Sequence, residues 1–138
     1  MAIKTVTHLN FRGEARAALA FYQAVFGGKQ AALSYRDAQA VQDESEADQI
    51  MWGEVDSDAG FHIMAYDVPG RLDWNRGEIP FFVSVRGDGA EEISGYWDRL
   101  KEGGAIIQPL GPAGWSPLYG MVRDRFGVTW VLDVAAAG

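Results

Sequence analysis

The sequence of 138 residues contains no cysteine. Disulfide bonds, thiolate nucleophiles and cysteine-based zinc sites are therefore excluded. It also lacks any apolar run approaching the roughly 20 residues that a membrane-spanning helix requires. The opening residues, MAIKTVTHLNF, show neither the basic region nor the long apolar region of a signal peptide. We therefore expect a cytoplasmic protein that has no membrane partner.

Basic residues are few, with 12 lysines and arginines against 19 aspartates and glutamates and a net charge of −7. No local cluster of basic side chains reverses this balance, so we expect no nucleic-acid partner. The length suits one domain with a single core. A hydrophobic content of 48% argues against a disordered chain.

The first half of the chain, about residues 1–68, switches between two hydrophobic periods. The segment GEARAALAFYQAVFGG places apolar residues at steps of three and four, which predicts a helix that ends at Gly27 and Gly28. Period-two patterns and flanking turn residues predict strands around it. These strands are IKTVTHLNF before the helix, and KQAALSYRD, QIMWGEVDS and FHIMAYDV after it.

A polar linker at about residues 69–78 leads to a second half, about 79–138, in which the same order returns. The strand IPFFVSVRG precedes the helix DGAEEISGYWDRLKEGG, where Asp88 and Glu91 have capping-box spacing. Three further strands follow, in AIIQPL, PAGWSPLYGMVRD and VTWVLDV. Asp124 and Gly127 suit a tight turn before the last strand. The prediction is an α+β fold of two βαβββ modules, whose helix-free sheet faces line an open-barrel cleft.

Alternation along each strand predicts which side chains face the helix and which face the cleft. Leu9 and Phe11 are assigned to the helix side, as are Phe81, Val83 and Val85, and Trp97 and Trp130 to the core. The alternate positions of the strands face the cleft, and they include both histidines of the chain and several aromatic residues. The predicted ligand-binding residues are His8, Asn10, Trp52, His62, Tyr66, Ser84, Arg86, Trp115 and Tyr119. No catalytic residue can be singled out, because sequence spacing does not show proximity.

Two stretches carry a family resemblance: HLNFRGEARAALAFYQAVFGG near the start and WSPLYGMVRDRFGVTWVLDV near the end. They resemble the PhnB-like branch of the vicinal oxygen chelate superfamily, the glyoxalase, bleomycin-resistance and dioxygenase fold. The resemblance implies that metal-using relatives take one ligand, usually His, Gln or Glu, from the first and fourth strand of each half. The corresponding positions here are His8 or Thr7, Met64, Phe82 or Ser84, and Val131. Both carboxylate positions are apolar, so we expect no metal cofactor.

Three hypotheses about function follow. The first is a metal-independent homodimer that binds a small molecule, as bleomycin-resistance relatives sequester a cationic drug without chemistry. The second is a metal-dependent lyase, isomerase or dioxygenase with a non-standard site of His8 and His62, completed by Glu54 or Asp133. The third is a dimerising protein with a vestigial cleft. The two imidazoles could act as acid and base or serve only as hydrogen-bonding groups.

Overall fold

The computed structural model of the protein describes residues 2–135. The chain divides between residues 76 and 77 into two compact units, which we call unit one and unit two. Within residues 2–135, none of the helices has the length and apolar character needed to cross a membrane.

Unit one contains a helix and a four-stranded mixed sheet. In chain order the elements are β1 (Thr7–Phe11), α1 (Ala15–Phe26), β2 (Lys29–Ser34), β3 (Ile50–Asp56) and β4 (His62–Asp67). The strand order in the sheet is β1-β4-β3-β2, with β1 parallel to β4 and the other pairs antiparallel. A short 3-10 turn, Glu44–Glu46, lies in the connection from β2 to β3.

Unit two has the same topology. Its elements are β5 (Val83–Gly87), α2 (Ala90–Leu100), β6 (Ala105–Ala113), β7 (Ser116–Arg123) and β8 (Thr129–Val134). The strand order is β5-β8-β7-β6, and β5 is parallel to β8. The predicted α+β class and the predicted order of one strand, one helix and three strands in each half are confirmed.

Each helix covers one face of its own sheet, and a glycine in the sheet makes room for it. In unit one, a Cβ atom built on Gly53 would collide with the side chain of Leu19 from α1. In unit two, a Cβ atom on Gly120 would lie 2.9 Å from the ring of Trp97 in α2. Trp97 and Trp130 are 4% and 0% exposed, which confirms their assignment to the core.

Two buried aspartates hold the chain where elements meet. Asp67, at the end of β4, is 1% exposed and accepts hydrogen bonds from the backbone N–H groups of Gly13 (2.6 Å), Ala15 (3.1 Å) and Ile50 (2.9 Å). Glu14, at the N-cap of α1, makes no side-chain cap bond. Asp67 therefore caps the first turn of α1 from a neighbouring strand, which satisfies an otherwise unpaired helix donor.

The second buried aspartate is Asp124, which is 3% exposed and closes the turn before β8. It accepts hydrogen bonds from the N–H groups of Phe126 (2.8 Å) and Val128 (3.0 Å) and from Nε1 of Trp130 (2.9 Å). The N–H of Gly127 donates to the carbonyl of Asp124 at 3.0 Å, so the chain turns where the sequence predicted.

Three local predictions are wrong. The predicted capping box fails because Gly89, in extended conformation, occupies the N-cap of α2 without any side-chain cap bond, which leaves Asp88 one residue too early. Phe81 is 50% exposed and does not pack against the helix, because β5 begins only at Val83. The first strand begins at Thr7, and the preceding residues of IKTVTHLNF lie outside it.

Candidate functional site

The face of each sheet that is opposite its helix carries all the predicted site residues except Trp115, and we call it the open face. In β1, the exposed residues His8 and Asn10 alternate with Leu9 and Phe11, each only 2% exposed. His8 is paired with Met64 of β4, and Met64 with Glu54 of β3. Paired residues point to the same face, so these three form one row across three strands.

The second histidine lies on the same open face of unit one. His62 precedes Met64 by two residues in β4 and therefore points in the same direction. Trp52 precedes Glu54 by two residues in β3 and is half-buried on that face. The structure thus places both histidines of the chain on one face of a single sheet.

His8, Asn10 and Tyr66 form one polar cluster on this face. The rings of His8 and Tyr66 are edge-to-face with centroids 5.1 Å apart. Nδ1 of His8 lies 3.1 Å from Oδ1 of Asn10. An amide oxygen can only accept, so this bond requires the proton on Nδ1 and leaves Nε2 of a neutral His8 as an acceptor. His8 can therefore receive a hydrogen bond from a ligand.

His62 and Glu54 form a second pair, with Nε2 2.7 Å from Oε1. Their side chains are 16% and 27% exposed, so the pair is partly shielded from water. The contact fixes a proton on Nε2, and Nδ1 of His62 is buried without a partner among residues 2–135. Glu54 therefore holds the ring of His62 in place through Nε2.

The open face of unit two carries Ser84, Arg86 and Tyr119, whereas Trp115 lies in the turn between β6 and β7. Ser84 is paired with Val131, and Arg86 with Asp133. Nε of Arg86 lies 3.2 Å from Oδ1 of Asp133, and the two side chains are 65% and 9% exposed. Asp133 therefore already forms an ion pair with Arg86.

The two aromatic candidates of unit two lie in contact. Tyr119 is paired with Asp133 in the sheet. The rings of Trp115 and Tyr119 are edge-to-face with centroids 5.2 Å apart, and Trp115 is 65% exposed. The two rings are nearly perpendicular, and the exposed indole of Trp115 can stack on a ligand or a partner.

The register identifies the positions that correspond to the metal ligands of the superfamily. His8 is opposite Met64, and Ser84 is opposite Val131, so Ser84 and not Phe82 is the fifth-strand position. A catalytic divalent metal needs about three nitrogen or oxygen ligands. Of the four corresponding positions, only His8 carries a side chain that binds such metals strongly. Across residues 2–135, no group of three or more His, Asp or Glu side chains is arranged to hold a metal ion. These residues do not fit the metal that the fold implies.

Sequence reasoning gave Glu54 only as a possible metal ligand and missed its pairing with His62. The signal was available in part, because Glu54 alternates with buried Gly53 and Val55 in β3 and so shares the parity of Trp52. Which β4 residue lies beside it depends on the antiparallel register of β3 and β4, which the sequence does not reveal.

Comparison with known proteins agrees with this geometry. The profile of the Glyoxalase/Bleomycin resistance protein/Dioxygenase superfamily matches residues 5–132. The crystal structure of PA1353 from Pseudomonas aeruginosa is similar, at 30% identity and a TM-score of 0.87, over 97% of this chain and 98% of that one. The PhnB protein from Bacillus cereus has the same fold at 24% identity and a TM-score of 0.76, over 96% of this chain and 100% of that one. No curated protein matches the sequence.

Proposed function

This chain belongs to the Glyoxalase/Bleomycin resistance protein/Dioxygenase superfamily, and on that premise we propose that it is a homodimer that binds a small molecule without a metal. The observation that supports metal independence is the strand pairing, in which Met64 lies opposite His8 and Val131 lies opposite Ser84. In relatives that use a metal, the positions of Met64 and Val131 carry a metal ligand. A thioether and a hydrocarbon do not attract hard divalent cations.

The open faces offer hydrogen bonding and aromatic contact to a ligand. In unit one, Nε2 of a neutral His8 is available as an acceptor beside the ring of Tyr66. In unit two, Arg86 is 65% exposed even while it contacts Asp133, so its remaining N–H groups can reach a bound acceptor. A few polar groups placed among apolar ones are typical of small-molecule sites.

Support for the homodimer comes from the apolar surface of unit two. Several large hydrophobic side chains there are exposed by more than two fifths, although such residues are usually buried in a monomer. They are Ile79, Phe81, Phe82, Ile106, Ile107 and Trp115.

Light scattering after gel filtration tests whether the chain forms a dimer. We expect a dimer mass for the wild type and a shift toward monomer in Phe82→Ser. A wild-type monomer at micromolar concentration would contradict it. A cytoplasmic location is part of the proposal.

The metal question is tested on untagged protein purified without chelator. We expect substoichiometric metal by elemental analysis and equal melting temperatures with and without added Zn²⁺. Stoichiometric metal that disappears in His8→Ala would instead support the metal-dependent lyase, isomerase or dioxygenase.

Ligand binding is tested by a thermal-shift screen of small molecules, because a ligand that binds only the folded state raises the melting temperature. We expect at least one compound whose shift is lost in His8→Ala and retained in Lys4→Ala, a matched change at an exposed position in unit one. A tight dimer that no compound stabilises would favour the vestigial-cleft hypothesis.

A further inference from the structure

Unit one contains a pocket that none of the sequence motifs predicted. It has a volume of about 280 Å³ and lies between the connection that follows β2 and the segment that follows β4. This volume is close to the lower limit of roughly 300 Å³ for pockets that hold small organic ligands. It suits a compact molecule built on one or two rings.

The walls of the pocket are apolar where they are exposed. Val41, Met51 and Leu72 all line it and are 37%, 36% and 41% exposed. Within the described part of unit one, the other large hydrophobic residue with such exposure is Ile3. Exposed apolar side chains that converge on one concavity mark a place where an apolar group is bound.

Two tyrosine rings complete the walls, and both are held in position. The hydroxyl of Tyr35 donates to the backbone carbonyl of Asp67 at 2.7 Å. The ring of Tyr66 is edge-to-face with His8. Because these contacts fix the rings before any ligand arrives, a flat molecule loses little free energy in ordering the site.

Three ionised side chains line the pocket, and two of them already bind the chain itself. Glu46 accepts hydrogen bonds from the N–H of Gly70 at 2.9 and 3.2 Å. Asp43 accepts from the backbone N–H and the hydroxyl of Ser45, at 3.0 and 2.7 Å, and these bonds lower the pKa of Asp43. Both carboxylates therefore hold backbone turns in place.

The third ionised side chain is Arg71. It is exposed, and it makes no hydrogen bond or ion pair within residues 2–135. Its five N–H donors are therefore free to bind an acceptor that enters the pocket, and a guanidinium matches the geometry of a carboxylate.

We propose that this pocket is a binding site for small aromatic carboxylates, with the ring between Tyr35, Tyr66 and Leu72 and the carboxylate on Arg71. The site adjoins the open face through Tyr66, but it does not depend on the open face being a ligand site. Binding here would give unit one a specificity for organic anions, although the chain as a whole is acidic.

The test uses three probes that share one ring system and differ in charge: 2-naphthoate, the neutral 2-naphthamide and the cationic 2-naphthylmethylammonium. Each is titrated into the ¹⁵N-labelled full chain, and amide shifts report both the affinity and the place of binding. We expect 2-naphthoate to bind tightest and to shift the amides of Val41, Met51 and Leu72. Arg71→Gln should weaken 2-naphthoate about five- to tenfold and leave 2-naphthamide within about twofold.

Two further variants control the result. Lys4→Gln makes the same change in net charge at an exposed position and should leave all three affinities unchanged. Leu72→Ser should weaken all three probes, because it removes apolar contact rather than charge. Tighter binding of the cation than of 2-naphthoate, tighter binding of 2-naphthoate to Arg71→Gln, or shifts confined to residues outside the pocket would each overturn the proposal. Arg71→Gln should not change the thermal shift of a compound that loses its shift in His8→Ala, so the two proposals fail separately.

Discussion

Replacing Asp67 should destabilise unit one more than any other single carboxylate-to-amide change in that unit. Asp67 is 1% exposed and accepts three backbone hydrogen bonds, from Gly13, Ala15 and Ile50. These donors belong to the segment that joins β1 to α1, to the first residue of α1, and to the first residue of β3. One carboxylate of β4 thus binds α1, β3 and the connection between β1 and α1.

The magnitude follows from the number of bonds. A hydrogen bond to a charged group contributes about 1.5–3 kcal/mol, and a buried donor left unpaired costs about 1–3 kcal/mol. In Asp67→Ala all three donors lose their partner, and we expect the free energy of unfolding to fall by about 4 kcal/mol. In Asp67→Asn the amide keeps one acceptor oxygen but turns its NH₂ group toward a backbone donor, so the expected loss is about 2–3 kcal/mol.

Urea unfolding followed by tryptophan fluorescence measures these losses, with Asp73→Asn, an exposed carboxylate in the same unit, as the matched control. A domain of ordinary stability has only about 5–15 kcal/mol in total, so both losses are large enough to resolve. In ¹⁵N spectra, the amides of Gly13, Ala15 and Ile50 should move most. The reasoning is refuted if Asp67→Asn and Asp73→Asn unfold within about 0.5 kcal/mol of each other.

Other expected outcomes concern packing and ionisation. Gly120→Ala should lower the free energy of unfolding by about 1–3 kcal/mol, because the added Cβ would lie 2.9 Å from the indole ring of Trp97. The control is Gly114→Ala, where the added Cβ meets open space, and it should change the free energy of unfolding by less than about 0.5 kcal/mol. Trp130→Phe should lower the free energy of unfolding by about 2–3 kcal/mol, because it removes the buried hydrogen bond to the carboxylate of Asp124. Trp115→Phe, at an exposed position, should lower it little. Equal losses of the two variants in chemical denaturation would contradict this. Burial is the largest cause that raises the pKa of Tyr35 above 10.0 in the folded chain. The unfolded chain therefore releases this proton at a lower pH than the folded chain, and the free energy of unfolding falls as the pH rises past 10.0. Tyr35→Phe should flatten this fall, which is measured by urea titrations at about pH 9 and about pH 11.

The fold was predictable because its periodic signals are strong. The helical spacing from Ala15 to Phe26, with a glycine stop, matches α1, and the alternation around Leu9, Ile63 and Trp130 matches the buried faces of β1, β4 and β8. Each of these patterns is local, and each is repeated in the other half of the chain. A misjudged strand end, such as the one at Phe81, therefore did not disturb the topology.

The contacts that the sequence could not give are those that join distant residues. Asp67 binds Gly13 and Ala15 across 54 and 52 positions, and no short motif marks an aspartate that caps a helix from another strand. The same limit applies to the pocket beside Tyr66, whose walls come from two separate segments. Likewise, the choice between Phe82 and Ser84 needed the pairing of β5 with β8.

The two sheets have the same topology, so the chemistry of their equivalent rows can be compared directly. In unit one the row holds His8, Met64 and Glu54; in unit two it holds Ser84, Val131 and Met121. His8 keeps the arrangement of a metal-ligating histidine, since its Nδ1 proton is donated to Asn10 and its Nε2 is left as an acceptor. In its own row the neighbour of His8 is the thioether of Met64, and none of the described residues form a group of three metal-binding side chains with His8. Nε2 of His8 can instead accept a hydrogen bond from an organic molecule. A ligand of the open face should therefore present a donor, such as a hydroxyl or an N–H group, to Nε2 of His8.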